Sequence, residues 1–210
     1  MKSTKLAGFG CIVIAIFLAG CGSAPTHFYT LSAPKLTATS SEREVLPMFI
    51  EVAPVVVPER LARPQLVVNI AGKSGAGVDI LEQERWSSPF NSELRDALAS
   101  SLVARLNAID VSRSGRLRDQ PTYRIAIELH DFVAIPGDKV QSIFGWIISR
   151  SDNGRSNTCQ VNISEPVSAG IDGLVHGVQR SVIDVTTRIA ANVKAFQVNG
   201  NFVCEPGSLE

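Results

Sequence analysis

The sequence predicts a single α/β domain in which a mixed set of strands packs with two long amphipathic helices. Leu94, Leu98, Leu102 and Leu106 recur every four residues, and Leu174, Val178, Val182, Val185, Ile189, Val193 and Phe196 recur at steps of three and four. That spacing lines one face of a helix. Between the two stripes, Tyr123, Ile125, Ile127 and Leu129 alternate with Arg124, Glu128 and His130, the two-residue period of a half-buried strand.

The N-terminus is a separate unit. Lys2 and Lys5 precede an almost wholly apolar run from Leu6 to Gly20, the layout of a secretory signal. At about 15 residues the run is short of the ~20 that a membrane-spanning helix needs. It ends on Leu18-Ala19-Gly20-Cys21, which resembles the lipobox of bacterial lipoproteins. In that class the signal, here residues 1–20, is cleaved before the cysteine, and fatty-acyl chains such as palmitate are attached to the new N-terminal cysteine. Two or more chains make such attachment stable, at about 0.8 kcal/mol per buried methylene.

Residues 21–46 are expected to form a lipidated tether, because they are rich in Ser, Thr, Ala and Pro. Stretched at about 3.3 Å per residue, it would reach up to ~80 Å. The segment His27-Phe28-Tyr29-Thr30-Leu31 interrupts it and could add a short strand to the domain.

Residues 47–210 are expected to form the folded domain, a suitable length for one core. Phe49–Ala53 and Val55–Val57 are β-rich, with Pro54 marking an edge or bulge and Pro58 a stop. Gln65–Ile70 and Val78–Trp86 form two strands around a glycine-rich loop, residues 71–77. Ser87-Ser88-Pro89 predicts a helix over 89–106, with serine as cap and proline in the first turn. A short strand follows over 109–112. Then come a strand from Tyr123, a turn at Pro136-Gly137-Asp138, a second strand over 140–150, a hairpin turn at Asn153-Gly154 and a third strand holding Cys159, Val161 and Ile163. The last helix spans 172–196 with Asp172 as its cap.

Composition limits the function. Without Lys2 and Lys5, 18 basic residues face 20 acidic ones, so no basic field draws nucleic acid or an anionic membrane. With Cys11 removed and Cys21 acylated, Cys159 and Cys204 remain. Outside the cytoplasm such a pair reads as a disulfide. No cysteine or histidine spacing suggests a metal site.

Chemistry is equally sparse. Gly72-Lys73-Ser74 lacks the glycine that a phosphate loop needs five positions earlier, where Val67 stands. His130 and Asp131 are adjacent on a strand, so their side chains diverge. No nucleophile elbow occurs. The chain is therefore read as non-catalytic and without a cofactor. Gly173 and Gly177, four apart on the last helix, would permit close approach of a strand or of a second subunit, or would simply weaken the helix start.

An ordered set of segments carries a family resemblance: the lipobox, Tyr29-Thr30-Leu31, the run from Val57 through Pro58, Glu59, Arg60, Leu61, Ala62, Arg63, Pro64, Gln65 and Leu66 to Val67, and the run from Trp86 through Ser87, Ser88, Pro89, Phe90, Asn91, Ser92, Glu93, Leu94, Arg95, Asp96 and Ala97 to Leu98. The chain resembles the ABC-type transport auxiliary lipoproteins, the PqiC-like family. The resemblance implies a three-layer α/β/α fold with a mixed sheet, anticodon-binding-domain-like and similar to the N-terminal domain of TolB. It also implies an outer-membrane lipoprotein on the periplasmic face that docks MCE-domain proteins and ABC transporter components moving phospholipid between membranes. Gly22 after the lipidated cysteine is compatible with outer-membrane delivery, whereas aspartate there would favour retention. Arg60, Leu61, Arg63, Gln65, Trp86 and Phe90 are the candidate partner-binding residues. A homo-oligomer would fit beside a ring-shaped conduit, and a lipid-binding carrier module and a cell-envelope hydrolase stand as alternative functions.

Overall fold

The computed structural model describes residues 24–31, 47–70, 77–115 and 120–204. The signal, Cys21, most of the expected tether and the Gly72-Lys73-Ser74 loop lie outside the described residues. Within these described residues eight strands and two helices follow one another: β1 His27–Tyr29, β2 Met48–Val52, β3 Gln65–Asn69, β4 Val78–Trp86, α1 Phe90–Leu106, β5 Ala108–Asp110, β6 Thr122–Ile135, β7 Lys139–Arg150, β8 Ser156–Pro166 and α2 Gly170–Asn199. A 3-10 turn, Glu59–Leu61, precedes β3. No described helix is long and apolar enough to cross a membrane.

The strands divide into two sheets, ordered β1-β4-β3 and β5-β2-β6-β7-β8. In the larger sheet β2 runs parallel to both β5 and β6, while β6, β7 and β8 form an antiparallel meander. The mixed sheet and the meander are as the sequence predicts. Of Val55–Val57, only Val56 pairs, through an isolated bridge to Glu128.

Alternation decides which face is buried. Ile125 lies opposite Ile148, Ile127 opposite Trp146 and Leu129 opposite Phe144, and all six side chains are buried. Helix α1 packs on β2 and β5, and α2 on β6, β7 and β8. The two helices meet each other, with a 2.8 Å hydroxyl contact between Ser101 and Thr186. The other face of the sheet carries exposed Arg124, Glu128, His130 and Ile147. The described residues therefore put both helices on one side, and the expected third layer is not seen among them. Both predicted helical stripes are core: every residue in them, from Leu94 to Phe196, is buried.

The helix ends differ from expectation in their chemistry. Pro89 itself occupies the cap position of α1, and no side chain caps the helix. Ser87 and Ser88 turn their hydroxyls elsewhere. The cap of α2 is Ala169, and Asp172 falls inside the first turn. There its carboxylate meets the positive end of the helix dipole without bonding an end amide. Asn107 ends α1 at φ 48°, a left-handed conformation that asparagine tolerates. At the β7–β8 hairpin only Gly154 takes a positive φ, 66°, and Asn153 instead accepts a 3.0 Å bond from the Arg155 amide.

Gly173 and Gly177 make room for the chain's own strand region. A Cβ on Gly177 would lie 2.2 Å from Val167 Cγ1 and 3.3 Å from Val140 Cγ2, and one on Gly173 would lie 2.3 Å from the Ser168 carbonyl oxygen. The close approach is thus to β7 and to the segment after β8.

Candidate docking site

The two segments that carry the family resemblance meet in space. Pro58 and Pro64 bracket a tight turn in which the Leu61 amide donates to the Pro58 carbonyl at 2.8 Å and the Ala62 amide to Glu59 at 3.1 Å. Beyond the turn, the Pro64 carbonyl accepts from the Trp86 amide at 2.7 Å and the Arg63 carbonyl from the Phe90 amide at 3.1 Å. The turn is therefore latched along the start of α1.

This contact sorts the six candidate residues. Leu61, Trp86 and Phe90 are buried. Trp86 and Phe90 pack with ring centroids 5.4 Å apart, and Phe90 reaches Phe132 at 5.5 Å. The space left among Leu61, Trp86, Phe90, Phe132, Leu174 and Val178 is only about 10 Å³, close to the least that holds one water. These aromatics fill a core and leave no room there for an acyl chain. Arg60 is exposed, and Arg63 and Gln65 are half-buried. Arg60 donates to Asp131 Oδ1 at 3.2 Å and to the Phe132 carbonyl at 3.3 Å, just past the irregularity in β6 between Leu129 and Asp131. Gln65 donates to Glu82 at 3.2 Å.

A buried carboxylate that the sequence analysis did not single out lies beside this turn. Glu93 is buried and accepts from Ser87 Oγ at 2.5 Å, Ser88 Oγ at 3.1 Å, Thr30 Oγ1 at 3.0 Å and the Leu31 amide at 3.1 Å. The serines that were expected to cap α1 are donors to this side chain. One signal was legible: Glu93 sits four residues before Ala97 and so shares its apolar face.

Glu93 and Glu84 together fix the N-terminal segment. Strand β1 pairs in parallel with β4, His27 beside Glu84 and Tyr29 beside Trp86. Tyr29 Oη donates to Glu84 Oε2 at 2.7 Å, His27 Nδ1 lies 3.0 Å from Glu84 Oε1, and Gln179 donates to the Thr30 carbonyl at 3.1 Å. The bond to Glu84, with burial and the nearby negative charge, pushes the Tyr29 phenol up to about 12. The Tyr29 hydroxyl and His27 hold the Glu84 carboxyl below its ordinary value. Leu31 is 1% exposed. The predicted short strand exists, and it makes residues 27–31, near the start of the expected tether, part of the domain.

A second surface lies on the uncovered face of the larger sheet. An open concavity of about 590 Å³ is lined by Val56, Ala126, Glu128, His130 and Ile147, among others. His130 Nδ1 is 3.5 Å from Glu128, and its ring lies over Gly145. Asp131 is engaged with Arg60, and the irregularity between Leu129 and Asp131 breaks the expected alternation, so that His130 and Asp131 are both exposed. At the edge of this face Cys159 on β8 and Cys204 are joined as a disulfide with Cα atoms 5.6 Å apart, and Cys204 Sγ lies 3.3 Å from the Thr158 carbonyl. The bond staples the tail after α2 to the edge strand. No cluster of His, Cys, Asp and Glu suited to a metal occurs among the described residues.

Comparison with known proteins agrees with this geometry. A crystal structure described as an uncharacterized protein superposes with a TM-score of 0.64 at 19% identity, covering 81% of this chain and 99% of its own. A Xanthomonas campestris protein described as DUF330 superposes at 0.57 with 13% identity, covering 83% and 96% respectively. Both likenesses show the fold. No curated protein matches the sequence. The model of one family, "ABC-type transport auxiliary lipoprotein component", matches residues 29–190, from the docked strand β1 through most of α2. The chain belongs to the ABC-type transport auxiliary lipoprotein family.

Proposed function

We propose that this protein is a non-catalytic outer-membrane lipoprotein, acylated at Cys21, that docks an MCE-domain protein of an ABC-type system carrying phospholipid between the inner and outer membranes. The observation that supports it most is the family match over residues 29–190, behind a lipobox ending on Cys21 and Gly22. Within the docking reading, Arg60, Arg63 and Gln65 form the contact rim. Leu61, Trp86 and Phe90 hold the rim in shape from beneath. The docking reading is favoured over a carrier that encloses lipid, because the apolar space beside the rim holds only about 10 Å³, far below the ~300 Å³ and more typical of a ligand pocket, and the concavity of about 590 Å³ on the larger sheet is open rather than enclosed.

Photocrosslinking in cells tests the proposal. A photoreactive residue in place of Arg60 or Gln65 is expected to capture an MCE-domain protein, and one in place of Val198 on the far end of α2 is not. Deletion of the gene is expected to weaken the outer-membrane lipid barrier. Absence of MCE capture together with an unchanged barrier would sink the proposal. Copurification of phospholipid with an unacylated form, seen by native mass spectrometry, would move the assignment to a carrier.

A further inference from the structure

The docked strand changes what the lipid anchor does. Thr26 Oγ1 donates to Gln83 at 3.0 Å, His27 and Tyr29 engage Glu84, and the Leu31 amide is held by Glu93. Residues 32–46 therefore join two strands of the domain, β1 and β2, and add no slack between lipid and domain. The lead that remains from Cys21 to His27 is six residues long, which spans about 20 Å at most. A domain of this size has a radius of gyration of about 15 Å, hence a diameter near ~40 Å. The lead is about half that width, so it cannot carry around to the far side.

Exposed apolar side chains occur at both ends of the same small sheet, Phe28 beside Arg85 and Val78 and Ile80 at the start of β4. Phe28 on β1 is 66% exposed, and Val78 and Ile80 on β4 are 43% and 41% exposed. Single exposed hydrophobics are ordinary. These three share a three-stranded sheet, and Phe28 is seven residues from the acylated cysteine. On β4, Asp79, Glu82 and Glu84 outnumber Arg85, which disfavours an anionic surface.

We infer that the β1-β4-β3 sheet is the membrane-facing end of the domain, with Phe28, Val78 and Ile80 set against a zwitterionic phospholipid surface. The inference rests on acylation at Cys21 and goes beyond it by assigning the face that meets the membrane. It leaves the exposed face of the larger sheet, together with Arg60 and Arg63 ahead of β3, free for protein partners, while Gln65 lies at the border of the membrane-facing sheet.

The test uses the acylated full-length chain reconstituted into vesicles of phosphatidylethanolamine and phosphatidylcholine with radiolabelled lipid. Benzoylphenylalanine replaces Phe28, Ile147 or Val198 one at a time; the latter two are 50% and 82% exposed and lie on the larger sheet and on α2. Capture of phospholipid from position 28 is expected to exceed that from either control at least fivefold. A Gly/Ser spacer of about 20 residues, inserted after Gly22 and reaching ~25 Å as a flexible coil, is expected to lower capture at position 28 severalfold. Capture no greater at position 28 than at the controls, or unaffected by the spacer, overturns the inference. Palmitate labelling is scored on the same samples. A labelled chain without capture at position 28 overturns the orientation alone, whereas an unlabelled chain overturns the anchoring reading as well.

Discussion

Replacing Glu93 by alanine is expected to release the N-terminal segment and destabilise the whole domain. Its two oxygens collect four donors, from Thr30, Leu31, Ser87 and Ser88. A hydrogen bond to a charged acceptor contributes about 1.5–3 kcal/mol, and a buried amide left without its acceptor costs about 1–3 kcal/mol. Bonds that share one acceptor group do not add, so the expected loss for Glu93→Ala is about 3–5 kcal/mol, in the range of broken buried polar networks. In a chain of this length each kcal/mol shifts Tm by about 2–4 °C, which puts the melting point roughly 6–20 °C lower. Glu93→Gln keeps one acceptor oxygen and is expected to lose about half as much. Urea unfolding of the mature chain without its lipid measures the loss, and limited proteolysis reports whether residues 24–31 come free. A Glu93→Ala variant within about 0.5 kcal/mol of the parent, the scatter of ordinary surface changes, would refute the clamp.

Other consequences are as direct. Gly177→Ala should gain about 1 kcal/mol in helix propensity but lose about 1–3 kcal/mol because the new methyl overlaps Val167 and Val140, a net destabilisation of up to ~2 kcal/mol; a stabilised variant in thermal melts would contradict the packing. Cys204→Ser opens a loop of 45 residues and should cost about 2–4 kcal/mol, measured by denaturation under oxidising conditions, where an unchanged midpoint would argue against the staple. The pH dependence follows from Glu84 and Tyr29. The lowered Glu84 value makes its contribution complete above the ordinary carboxylate range near ~4.3, lost as pH falls through the lower folded value. The raised Tyr29 value makes the phenol's contribution complete below 10.0 and lost as pH rises toward about 12. Hydrogen exchange at residues 27–31 should therefore stay slow, once corrected for intrinsic rates, between about pH 5 and 10; a rise in opening between pH 6 and 8 would show that another group holds the strand.

The helices and the meander were legible because their information is local. The stripe from Leu174 to Phe196 and the alternation from Tyr123 to Leu129 repeat at the period of the element they form. The helix caps misled for the opposite reason. Ser87 and Ser88 have the composition of a cap, but Pro89 takes the cap position and both hydroxyls donate to Glu93, one turn into α1. Trp86 and Phe90 stood out as family-specific residues, and the spacing alone did not distinguish a contact surface from a core. Burial by Phe132 and Leu174, from β6 and α2, resolved it.

By itself the sequence determined the elements: two helical stripes, a meander and a pair of cysteines, Cys159 and Cys204, behind an apolar run that ends on a lipobox-like Cys21. Each is a pattern of neighbours along the chain. Only the tertiary structure decided that residues 27–31 belong to the domain. Strand β1 has three residues and no stability of its own. It exists because β4 offers an open edge, Glu84 and Glu93 offer acceptors, and Leu31 finds a buried site, all contributed by residues more than 50 positions away.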